Sequence, residues 1–319
     1  MPAVITIGAL MGACLAFVLF SRLFYHRSAI ATLVEWYLFL TEKHYKPTEL
    51  LSALQERREH GEDPYILPKS VRGRGFFHEY RYEDMQVFHT RYGEKSKKAV
   101  IYLHGGAYYR KPRGFHIRFA ERMSRRTGLP FILPIYQKAP LHTCRDAYQL
   151  LPRFYLEQCK QYDTLILMGD SSGGGLALGL AQYLSDEGIR PPSALILMSP
   201  WVDVALENPD IPRYEAKDPI VFLDNVTLLG RAWADDLPPS DPRVSPLHGS
   251  LCGLCHIHLF CGTREVLYPD CCLLHEKLRD CDTPVRFYRG EGMNHVYPIF
   301  PIPEAKKAQK AICRIIEES

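Results

Sequence analysis
The stretch Thr164-Leu165-Ile166-Leu167-Met168-Gly169-Asp170-Ser171-Ser172-Gly173-Gly174 sets an apolar run directly against a cluster of small residues. The run reads as a buried strand, and residues 172–186 beyond it read as a helix. Between them, Gly169-Asp170-Ser171-Ser172-Gly173 fits the pattern G-x-S-x-G with Ser171 at its centre. A strand that turns this sharply into a helix lifts the central hydroxyl above the sheet edge. Glycines at 169 and 173 let neighbouring backbone pass without a Cβ in the way. The helix start behind Ser171 adds partial positive charge where an oxyanion would form. A phosphate-binding turn is the competing reading, and the missing P-loop lysine speaks against it.

Outward from this turn, strands and helices alternate. Residues 76–82 and 85–90 read as an opening pair of strands, and 99–103 as a short strand ending in His104-Gly105-Gly106. Further strands are expected at 130–136, 194–198, 257–261 and 285–288, with helices at 118–126, 145–160 and 304–317. Such alternation implies a mainly parallel sheet covered on both faces. Residues 208–241, rich in proline and holding Trp233, interrupt it and read as an insertion at one edge. Upstream, 46–60 reads as an amphipathic helix with Leu50, Leu51 and Leu54 at helical spacing.

A serine needs a base to become a nucleophile, and the base needs an orienting acid. His295, in Gly292-Met293-Asn294-His295, follows the last strand, where catalytic groups of such sheets gather. The acid should follow the preceding strand. Glu265 is the first carboxylate there; Asp270, five residues on, is the competitor, with a helix-start charge as its alternative role. His104-Gly105-Gly106-Ala107 has the form of a loop that lends backbone N–H groups to an oxyanion. Gly106 and Ala107 are the expected donors, with the N–H of Ser172 as the third. His104 reads as a loop-ordering residue.

The chain has 319 residues, 46% hydrophobic and 24% charged, which excludes a disordered or low-complexity protein. A net charge of +3 leaves no nucleic-acid footprint. Ten cysteines without framework spacing read as free thiols suited to a reducing compartment. Cys252-Gly253-Leu254-Cys255-His256 matches a haem-attachment pattern literally, and His258 and Cys261 resemble zinc ligands. The favoured reading is a turn feeding a strand, so no metal or cofactor is expected. Residues 3–20 carry no charge, and Arg22, His26 and Arg27 follow. Residues 1–27 are therefore expected to form a single membrane span with the bulk of the chain cytoplasmic. The alternative is a helix covering an apolar site in a cytoplasmic protein. Residues 28–75 read as a helical cap or linker and 76–319 as the catalytic domain.

Together these motifs resemble the hormone-sensitive-lipase-like (fold-3) branch of the α/β-hydrolases. The resemblance also rests on Tyr136 with Ala139-Pro140, Ser199-Pro200-Trp201-Val202-Asp203, Ser245-Pro246-Leu247 and Glu265-Val266-Leu267. It implies an α/β-hydrolase fold, with a mainly parallel central sheet flanked by helices and an N-terminal helical cap. It further implies hydrolysis of a small-molecule carboxylic ester without a cofactor, with Ser171, Glu265 and His295 as the triad. Ala107 stands for the usual third glycine, Ser172 for the common alanine and Glu265 for the more common aspartate. Gln137 and Leu141 stand where arginine and glutamate are frequent. Tyr108, Tyr109 and Phe115 suggest a lipophilic alcohol, and core packing is their equal alternative. Acyl transfer through the same triad and a non-catalytic binder on this scaffold are the competing functions.

Overall fold
The computed structural model describes residues 2–93 and 95–319, with the side chains of the first helix from Leu10 onward. Helices α1 (Pro2–Tyr25), α2 (Ala29–Thr41), α3 (Pro47–His60) and α4 (Lys69–Arg72) come first. Then follow β1 (Phe77–Tyr82), β2 (Met85–Thr90), β3 (Lys98–Leu103), α5 (Gly114–Thr127), β4 (Phe131–Pro134), α6 (Cys144–Gln161) and β5 (Thr164–Asp170). The chain continues through α7 (Ser172–Asp186), β6 (Ala194–Met198), α8 (Pro212–Glu215) and α9 (Leu223–Ala234). It closes with β7 (His256–Gly262), α10 (Tyr268–Asp280), β8 (Val285–Gly290) and α11 (Pro303–Glu318).

Among the described residues the strands form one eight-stranded sheet in the order β1-β2-β4-β3-β5-β6-β7-β8. β2 runs antiparallel to β1 and β4, and the other neighbours pair in parallel. β5 and β6 are apolar at nearly every position because helices cover both faces, which is the pattern of a parallel sheet interior. Two apolar clusters follow, one on each side of the sheet. Leu165 and Leu167 point into the first, Ile166 and Met168 into the second. The chain order reverses on either side of β3, between β4 and β5. Loops at the carboxyl ends of such strands diverge and leave a crevice. The expected α/β-hydrolase architecture is the one observed.

The N-terminal reading needs correction. Among the described residues no helix is long and apolar enough to cross a membrane. The span expected over 1–27 depends partly on side chains 1–9, which lie outside the described ones. One side of its distal end packs against α2, while Leu15, Leu19, Leu23 and Phe24 stay exposed. Ser21 is fully buried, Phe17 meets Trp36 at 5.3 Å, and Arg27 is 3% exposed. Arg27 was read as a flanking charge. It instead pairs with Glu35 at 2.5 Å and donates to the Gly292 carbonyl at 3.1 Å. The thiol reading changes too: Cys252 is joined to Cys281 in a disulfide, while Cys255 stays free.

Candidate active site
β5 ends at Asp170 and α7 begins at Ser172, so Ser171 occupies the turn between them. Its φ of 53° and ψ of −125° are costly for a residue with a side chain. Hydrogen bonds hold it there. Ser171 N–H donates to Met198 O, and Trp201 N–H donates to Ser171 O, each at 2.9 Å. Two glycines permit the turn. A Cβ at Gly169 would strike the Gly173 backbone, and one at Gly173 would strike the carbonyls of Leu103 and His104. The same close approach seats the loop after β3 against Ser171.

His295 comes from the loop after β8. Its Nε2 lies 3.0 Å from Ser171 Oγ, and its Nδ1 meets Glu265 Oε2. A carboxylate only accepts, so Nδ1 carries the proton and Nε2 faces the hydroxyl as acceptor. The other Glu265 oxygen accepts from Gly262 N–H at 2.6 Å, the Ser199 hydroxyl at 2.7 Å and the Cys261 thiol at 3.0 Å. Glu265 is 0% and His295 2% exposed, so these partners replace water. Burial alone would lower the His295 pKa. The Glu265 charge and hydrogen bond, aided by Asp218 and Asp170, raise it above the usual histidine value. Asp270 is not part of this chain of contacts. It is buried in the first turn of α10, where burial pushes its carboxyl up to about 7.

Gly106 and Ala107 line the same cleft as Ser171. Gly106 has φ 137° and Ala107 φ 54°, a sharply folded loop that no extended strand would allow. Ser172 opens α7, so its N–H belongs to the first helical turn, which has no intrahelical acceptor. His104 is buried, with Nδ1 2.7 Å from the Gly105 carbonyl and its ring stacked on Tyr136. Burial and the nearby Lys138 charge lower its pKa to about 3, so it is neutral.

Three buried residues have roles that the sequence did not assign. Asp170, the variable position of the serine motif, accepts from Tyr102 OH at 2.6 Å and Gly105 N–H at 3.1 Å, and meets His116 Nε2 at 3.2 Å. Burial works to raise its pKa, but His116 and these hydrogen bonds hold it below the usual carboxylate value. It thereby ties β5 to the Gly105–Gly106 loop. Ser199 bridges Glu265 and the N–H of Val296, which it accepts at 2.9 Å. Asp218 accepts from Ile220 and Val221 N–H at 2.8 and 3.1 Å and from Val266 N–H at 2.9 Å. Burial pushes Asp218 up to about 6, His295 pulling the other way and Glu265 adding to the rise. Only Asp218-Pro219, a turn-initiating pair, marked that place in the sequence.

The cleft and the open solvent at its mouth together make up about 770 Å³ outside protein atoms. The 208–241 segment, read as an edge insertion, supplies a wall of it through Ile220, Val221, Phe222 and Leu229. Phe115 lines it as well. Tyr108 does not; it is buried, stacked on Trp233 at 4.3 Å and Trp201 at 5.5 Å. Tyr109 lies beneath the Arg57 guanidinium at 3.8 Å. Among the described residues no group of three or more His, Cys, Asp or Glu side chains is placed to hold a metal ion.

Residues 100–299 match the family model for the alpha/beta hydrolase fold. The chain is 31% identical over 215 residues to an esterase of Acinetobacter venetianus, covering 66% of this chain and 71% of that one. It is 28% identical to an acetyl-hydrolase of Streptomyces hygroscopicus, covering 69% and 75% of the two chains. A crystal structure from Staphylococcus aureus, provisionally described as an esterase, superposes with a TM-score of 0.82 at 30% identity, covering 86% of this chain and 95% of that one. The chain therefore belongs to the α/β-hydrolase fold family, on its hormone-sensitive-lipase-like branch, and is a carboxylesterase- or lipase-like hydrolase.

Proposed function
We propose that this protein hydrolyses carboxylic esters of small to medium acyl groups, acetyl among them, through an acyl-enzyme on Ser171. The observation that carries the reading is the continuous line from Ser171 Oγ to His295 Nε2, 3.0 Å, and on through Nδ1 to Glu265. Ser171 attacks the ester carbonyl as His295 takes its proton, and the charged imidazole rests against Glu265. The N–H groups of Gly106, Ala107 and Ser172 receive the oxyanion. His295 returns the proton to the departing alcohol, then activates the water that releases the acid. The similarity to an acetyl-hydrolase supports the short acyl group. The apolar wall from Ile220 to Leu229 supports a lipophilic part in the substrate.

Ser171→Ala, assayed with 4-nitrophenyl acetate, is expected to lower kcat by on the order of 10⁶-fold, leaving what the oxyanion donors and binding supply. Retention of wild-type turnover in that variant overturns the assignment.

A further inference from the structure
The Ser171 cleft is not uniformly apolar. The segment after Ala107 places Arg110, Lys111 and Arg113 along it, besides the apolar residues between 220 and 229. The nearby acids are shared. Glu42, at the end of α2, serves both Arg110, at 3.4 Å, and Arg113. Glu62 serves Arg57 at 3.2 Å, and Lys111 and Lys138 at 3.8 Å each. The cleft itself is thus lined by three cations, Arg110, Lys111 and Arg113, and by two carboxylates, Glu42 and Asp170, the latter already engaged by Tyr102, Gly105 N–H and His116. The Glu42 side chain is 4% exposed, while those of Arg110 and Arg113 are 35% and 44% exposed. Glu42 also lines the cleft, but its side chain is buried against both arginines, while theirs stay part-exposed.

We infer that the cleft selects esters bearing an anionic oxygen group, carboxylate, phosphate or sulfate, which Arg110 and Arg113 receive while the scissile carbonyl lies at Ser171. A guanidinium presents paired N–H donors that match such a group in charge and geometry. A cleft with one low-dielectric wall strengthens that attraction over what bulk water allows. Arg110 and Arg113 are specificity-determining residues, with no part in the bond-breaking steps. The inference rests on the ester-hydrolysis reading above.

Two substrate pairs test it and separate the two places the charge can sit. 4-Nitrophenyl hydrogen glutarate against 4-nitrophenyl valerate puts the charge on the acyl side. 3-Acetoxybenzoate against phenyl acetate puts it on the alcohol side. The readout is the ratio of kcat/KM, anionic over neutral, within each pair. In at least one pair, Arg110→Gln/Arg113→Gln should lower the ratio about tenfold, and Glu42→Gln, which removes the competing negative charge, should raise it. In the wild-type protein the same ratio should fall as NaCl rises from about 0.05 to 0.5 M, since salt screens exposed charge. That measurement needs no variant to fold. Ratios that ignore salt and the arginine substitutions in both pairs overturn the inference. If neutral esters are still hydrolysed in that case, the ester-hydrolase reading survives; hydrolysis that Ser171→Ala leaves unchanged would strike that reading instead.

Discussion

Ser171, His295 and Glu265 lie far apart along the chain, and each is held by its own local device: a strained turn, a loop hydrogen bond and a ring of donors. The charge balance at His295 has a measurable consequence. Its pKa is raised above the usual 6.5 by Glu265 against the pull of burial. In the mechanism proposed above, only the neutral imidazole accepts the Ser171 proton. The acid limb of kcat/KM for a neutral ester should therefore have its midpoint above 6.5, with activity lost as pH falls through it. Glu265→Gln removes the largest raising influence, so that limb should move to lower pH. The amide also offers the ring a mismatched partner, and kcat should drop by roughly 10³–10⁴-fold. A pH–rate profile of both proteins checks the two expectations together. Between Glu265 and Asp270 the sequence left a choice, because spacing alone does not tell which carboxylate faces a ring thirty residues on. The ring of donors around Glu265 comes from β6, β7 and their loops, so it exists only once those strands are neighbours.

At the scale of elements, the β5–α7 elbow depends on how closely β3 and β5 approach. These strands pair in register from Lys98↔Thr164 to Leu103↔Gly169. That register puts the Gly173 Cα against the Leu103 and His104 carbonyls. Gly173→Ala would press a methyl into that backbone. The expected cost is about 1–3 kcal/mol of stability, read as a lower urea midpoint, with kcat falling as the Gly105–Ala107 loop is displaced. The strands and helices were largely legible in the sequence because their apolar periods are strong, as in β5 and α7. The 208–241 segment was legible only as an interruption. Its helix α9 packs Leu229 against Leu50 and Leu54 of α3 and turns other side chains into the cleft. Nothing in a proline-rich stretch announces which way it folds over a site.

For the molecule as a whole, the N-terminal helices are keyed to the two loops that carry Glu265 and His295. Glu35 is 1% exposed and pairs with Arg27 at 2.5 Å and Arg264 at 3.3 Å. Arg27 continues to the Gly292 carbonyl, three residues from His295, and Arg264 adjoins Glu265. Glu35→Ala would leave Arg27 buried without its carboxylate. The expected loss is about 3–5 kcal/mol in denaturant unfolding. Replacing both Arg27 and Glu35 with leucine should cost less than the single change, since the fully buried charge goes with its partner and only Arg264, which reaches water, loses a carboxylate. Equal losses for the single and double variants would contradict this account of the pair.

The succession of strands and helices along the chain, the sharp serine turn and the glycine-rich loop were legible in the sequence itself. They are local: alternation of apolar residues and the demand for glycine at tight contacts act over a few positions at a time. The partner of His295, the walls of the cleft, the Cys252–Cys281 bond and the burial of Arg27 were decided by tertiary structure. Each joins residues from separate elements, and the energy that selects them, desolvation offset by a specific partner, has no value until the chain has brought those elements together.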